Sequence, residues 1–156
     1  MSDPQLVSAR TQLAKITPRG VCTVAYMAMD HEAAKSWYTE LLGVKPYLDK
    51  PGYAEFRFGD YQHELGIIDA KHITELGGGG KAPEAPGGAI AYWHVDDLEA
   101  TLARLIEMGA KELHPPRDFG TGFIGASVID PFGNIFGIMY NPHYLEMVST
   151  MQGQHG

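Results

Sequence analysis

Val24-Ala25-Tyr26-Met27-Ala28-Met29-Asp30 and Ile90-Ala91-Tyr92-Trp93-His94-Val95-Asp96 repeat one pattern 66 positions apart. Each is an apolar, strand-like run that ends on an Asp. Thirteen residues beyond each Asp, a Gly (Gly43 or Gly109) closes an amphipathic segment. Repetition of this kind fixes architecture before any single residue is interpreted. Two similar halves in a small chain pack as pseudo-twofold partners, and the space between them is the natural place for a ligand.

Working outward, each repeat predicts a strand, a helix and three further strands. In the first half a strand runs from about Val21 to Met29. Asp30 caps a helix over His31 to Leu42, whose apolar stripe holds Ala34, Trp37, Tyr38, Leu41 and Leu42. Gly43 ends it in the left-handed conformation. Strands follow over Val44 to Leu48, Tyr53 to Phe58 and Glu64 to Asp69. In the second half Ala89 to Val95 is a strand, and Asp96 or Asp97 caps a helix to Met108. Strands are expected near Lys111 to His114, Phe123 to Ile129 and Asn134 to Tyr140, with Asp130-Pro131-Phe132-Gly133 as a tight turn. Pro115 to Gly122 reads as a glycine-hinged loop suited to cover a ligand. Residues 1–19 form an N-terminal extension with a short helix over 3–15. The modules span 20–76 and 89–141, residues 77–88 are a Gly/Pro linker, and 142–156 are a tail with a helical turn at Tyr144 to Thr150.

The chain has 156 residues, enough to bury roughly two-thirds of its unfolded surface without disulfides or metal. Its apolar content of 44% and charged content of 20% are those of a globular protein. A net charge of -7 argues against nucleic acid and anionic membrane as partners. No apolar run approaches the roughly 18 to 20 residues that span a bilayer, and no signal-peptide core opens the chain. These features give the expectation of a cytoplasmic location. Cys22, the lone cysteine, lies in an apolar strand pattern and is expected to be buried and inert.

The segments Ala34 to Gly43 (AKSWYTELLG), Trp93 to Gly109 (WHVDDLEATLARLIEMG) and Asp130 to Asn134 (DPFGN) resemble the vicinal oxygen chelate superfamily. That superfamily includes glyoxalase I, extradiol dioxygenases, methylmalonyl-CoA epimerase and bleomycin-binding proteins. The resemblance covers roughly residues 20–141. It implies an α+β fold of two βαβββ modules, each curling into half of an open barrel, and commonly a homodimer. It also implies a divalent metal held by the first and last strand of each module. Carried onto this chain, those four places are Thr23, Glu64, Ile90 and Gly137. Only Glu64 suits a hard cation. His94 lies four residues past Ile90, about 13 Å along a strand, too far to substitute. No spacing gathers His63, His72 and His114. A metal is therefore not expected.

Strand alternation then gives the cavity wall. Thr23, Ala25 and Met27 come from the first strand and Ile90, Tyr92 and His94 from the fifth. Glu64 and Ile68 come from the fourth, Gly137 and Met139 from the last. Arg117 and Phe119 lie in the covering loop, where Arg117 suits a carboxylate or phosphate. This mixture suits a small, partly apolar organic molecule, and the acidic surface suits a cationic one. Two functions remain open. One is binding or sequestration by a homodimer with shared pockets. The other is catalysis, either an isomerase or lyase using Glu64 as base and His94 as proton carrier, or a metal-dependent dioxygenase or glyoxalase. A buried, metal-free Glu64 would carry a raised pKa.

Overall fold

A computed structural model describes residues 19–75 and 86–153. The helix expected over 3–15 and most of the expected linker lie outside the described residues. The first module comprises β1 (Thr23–Ala28), α1 (His31–Leu42), β2 (Leu48–Lys50), β3 (Tyr53–Phe58), β4 (His63–Asp69) and a short α2 (Ala70–Glu75). The second comprises β5 (Tyr92–His94), α3 (Leu98–Glu107), β6 (Lys111–Gly120), β7 (Phe123–Ile129) and β8 (Ile135–Tyr140), followed by α4 (Pro142–Gly153). Each module forms a four-stranded sheet, in the orders β1-β4-β3-β2 and β5-β8-β7-β6. In both, the first and last strands run parallel and the rest pair antiparallel. This is the expected pair of βαβββ modules. The two sheets are not closed into a barrel.

Local chemistry explains the element ends. The Asp30 carboxylate accepts the Ala33 N–H at 3.0 Å, and Gly43 at φ 67° donates its N–H to Thr39. In the second helix the cap is Asp97, which accepts the Ala100 N–H at 2.9 Å. Asp130 and Gly133 close the tight turn, with the Gly133 N–H donated to the Asp130 carbonyl.

The structure corrects several expectations. The second strand begins at Leu48 rather than Val44, since Pro46 has no N–H to give a ladder. The fifth strand is only Tyr92–His94, so Ile90 precedes it. The expected loop over Pro115 to Gly122 is largely strand, because β6 continues to Gly120 through three register shifts. As an edge strand, β6 tolerates Pro115 and Pro116. Cys22, expected buried, is exposed just before β1.

The apolar faces of both sheets join one core. Tyr38, Phe56, Leu65 and Ile67 from the first module share a cluster with Leu105, Val128, Phe136 and Ile138 from the second. Tyr26 packs on Phe136, and Phe58 lies 5.1 Å from Trp93, ring to ring. Polar bonds lock the same seam. Trp37 Nε1 donates to the Met108 carbonyl at 2.8 Å, and the fully buried Tyr38 donates its hydroxyl to Asp130 at 2.5 Å. Asn134 exchanges two hydrogen bonds with the Met27 backbone. Because side chains alternate, the opposite face of each sheet points away from this shared core.

Candidate functional site

Those opposite faces carry the residues in question. On the first sheet the register sets three rows. Thr23, Glu64 and Arg57 form one, Ala25, Gly66 and Glu55 the next, and Met27, Ile68 and Tyr53 the third. β3 reads Tyr-Ala-Glu-Phe-Arg-Phe, so its polar members fall on this face while Ala54 and Phe56 are buried.

Glu64 has both oxygens in use. The Thr23 hydroxyl donates to Oε2 at 2.8 Å, and Arg57 Nη2 lies 3.3 Å from Oε1. Its side chain is 30% exposed, so the fold does not build a buried, unpaired carboxylate here. Arg57 is shared. Its Nε sits 3.7 Å from Glu55, and its guanidinium stacks 3.7 Å above the Tyr47 ring. That Nε–H is buried with no hydrogen-bond partner. Tyr53 donates to Glu55 at 2.8 Å. Burial first, then that bond, pushes the Tyr53 phenol up to about 12. Gly66 gives this phenol room, since a Cβ there would stand 2.6 Å from the hydroxyl.

On the second sheet Tyr92, Gly137 and Ser127 align in one row, and His94, Met139 and Gly125 in the next. Ser127 is hydrogen-bonded to His114 Nδ1 at 2.7 Å. Arg117 pairs with Gly125, and the Phe119 ring overhangs Gly125. His94 is engaged at both nitrogens. Nδ1 accepts the Asn141 N–H at 3.0 Å, so the proton sits on Nε2, 3.2 Å from Asp96. Its ring stacks on Tyr144 of α4, 4.9 Å away at 14°.

The fold thus gathers Thr23, Ala25, Met27, Glu64 and Ile68 on one sheet. It gathers Tyr92, Met139, Gly137, Arg117 and Phe119 on the other. Among the described residues no hydrogen bond, ion pair or ring contact joins the two groups. Both stand open, with Met27 52% and Tyr92 41% exposed. Ile90 lies outside β5, and the residue paired with Gly137 is Tyr92, as Thr23 is paired with Glu64. The register thus sets Tyr92, rather than Ile90, beside Gly137. Tyr53, Glu55, Arg57, Ser127 and His114 belong to these faces, although the landmarks of first and last strands do not reach them.

The superfamily's divalent metal does not fit this donor set. Thr23 offers a hydroxyl already donated, Tyr92 a phenol, and Gly137 no side chain. Among the described residues no three His, Cys, Asp or Glu side chains gather as a metal-holding group.

Paired βαβββ modules with this strand order define a fold of the glyoxalase type. The model of the Glyoxalase/Bleomycin resistance protein/Dioxygenase superfamily matches residues 20–138, and the chain belongs to that superfamily. Solved structures agree on the fold. A glyoxalase-related enzyme from Fulvimarina pelagi shares 23% identity, covering 80% of this chain and 90% of its own, at a TM-score of 0.65. A glyoxalase/bleomycin resistance protein/dioxygenase from Nocardioides shares 20%, covering 86% and 91%, at 0.62. A lactoylglutathione lyase from Agrobacterium tumefaciens shares 20%, covering 79% and 94%, at 0.59. Among curated proteins none matches significantly. No helix among the described residues is long and apolar enough to cross a membrane.

Proposed function

We propose that this protein binds a small, partly apolar organic molecule without a metal ion. We further propose that the complete site forms when the open first-module face of one copy meets the open second-module face of another. The observation that carries the reading is the state of Glu64. The only strong hard-metal donor among the four places spends both oxygens on Thr23 and Arg57. Such a carboxylate is a fixed element of a hydrogen-bonding wall. To act as a base it would first have to give up a guanidinium, which favours binding over proton abstraction. The homodimer is supported by apolar side chains left open on both faces, Met27 and Tyr92 among them.

A thermal-shift screen of organic molecules in chelator-containing buffer tests the binding. At least one compound should raise the unfolding temperature, and Glu64→Gln and Thr23→Val should weaken that shift. Stabilisation that appears only after adding a divalent metal would contradict the reading. Light scattering of the eluted protein should return twice the chain mass.

A further inference from the structure

We infer that the second-module face is a subsite for a planar aromatic carboxylate, an inference that rests on the binding function just proposed and names its ligand class. Gly137 leaves the sheet bare beneath the Tyr92 ring. A Cβ there would lie 2.7 Å from the Ala91 carbonyl oxygen and 2.8 Å from the Tyr92 ring. The place where the superfamily's enzymes carry a metal-binding side chain is thus taken by an aromatic ring laid against bare backbone. Gly125, one row on, does the same. A Cβ there would meet Phe119 at 3.0 Å, Met139 at 3.4 Å and Tyr92 at 3.6 Å. Two glycines in adjacent rows let two aromatic rings and a thioether converge on one spot of the sheet. Tyr92 and Phe119 nevertheless remain 41% and 55% exposed. A surface of this kind favours a flat π-system, which gains offset or edge contacts with both rings and polarisable contact with the sulfur.

The charge at the rim selects the other half of the ligand. Arg117 pairs in register with Gly125, and its guanidinium carbon lies 5.6 Å from the Phe119 ring centre. Among the described residues it has no ion-pair partner. The neighbouring Asp118 carboxylate is turned into its own turn, accepting the Gly120 N–H at 2.7 Å. A free guanidinium beside an aromatic surface matches a carboxylate bidentately. The overall negative charge does not oppose this, since charges beyond about 8 Å are largely screened and the contact is local.

Binding of 2-naphthoate and of neutral 2-naphthalenemethanol to the full chain, measured by titration calorimetry, tests the inference. The acid should bind at least about tenfold tighter than the alcohol, a difference of about 1.4 kcal/mol. Arg117→Met should erase that preference while leaving the alcohol unchanged. Tyr92→Ala should weaken both by about tenfold, and unchanged unfolding temperatures would show that these exposed positions leave the fold intact. Equal affinities for acid and alcohol, or affinities unmoved by Tyr92→Ala, would overturn it. If neither naphthyl compound binds while others in the thermal-shift screen do, the aromatic carboxylate class fails and the binding function stands. If nothing in the screen binds, both fall.

Discussion

At the scale of single residues, Asp130 ties the two modules together. Its buried carboxylate accepts from Tyr38 of the other module, from the Phe132 and Asn134 backbone, and from the Asn134 side chain. Tyr38→Phe leaves three of these donors and should cost about 1.5–3 kcal/mol, read from the urea midpoint. Burial first, then the Asp130 charge and bond, raises the Tyr38 phenol well above the ordinary phenol range. A group whose folded pKa is raised stabilises fully below its unfolded pKa and loses that contribution as pH climbs toward the folded one. Stability should therefore hold to about pH 10 and fall above it, more shallowly in Tyr38→Phe. Gly137 tests the open face of the second sheet. Gly137→Ala must displace the Ala91 carbonyl or the Tyr92 ring, and should cost about 1–3 kcal/mol in the same assay. Substitution at Gly20, which has nothing within 4 Å, should be close to neutral by comparison.

At the scale of elements, the two helices were legible because caps and stripe point the same way. Which of Asp96 and Asp97 caps α3 was not, since the two stand side by side with the same side chain. The structure assigns Asp97, so Asp97→Ala should lower stability by about 1 kcal/mol and Asp96→Ala by much less, measured by denaturant unfolding. Strand ends were less legible. The stretch Ala89 to Val95 is apolar enough for a strand throughout, yet only Tyr92–His94 finds β8 as a partner. Periodicity reports a strand's tendency, whereas pairing decides its length. Pairing accordingly sets Tyr92, two residues past Ile90, beside Gly137. The loop read at Pro115 to Gly122 failed for the opposite reason. Two prolines and two glycines there signal a break, but an edge strand with bulges absorbs them. The polar side of β3 was written plainly in Tyr53, Glu55 and Arg57. The first and last strands of each module, which carry the landmarks, do not include it.

At the scale of the whole molecule, the repeat set the architecture, but not how the halves face each other. Both modules turn their apolar sides into one core, joined through Tyr26, Tyr38, Phe136 and Trp93. Sequence periodicity identifies which side of a sheet is apolar; it says nothing about which other sheet that side meets. The opposite faces consequently stand open, one rich in carboxylates around Arg57 and the other aromatic around Tyr92. Of the four places the resemblance assigns to the superfamily's metal, Thr23, Glu64, Ile90 and Gly137, Glu64 alone is a strong donor, and Tyr92 opposite Gly137 adds only a phenol. The most direct test is the metal content of the full chain purified without chelator and then equilibrated with zinc, nickel and manganese, measured by elemental analysis. The account predicts far less than one bound ion per chain with every metal. One tightly held divalent ion per chain, lost on Glu64→Gln, would contradict it.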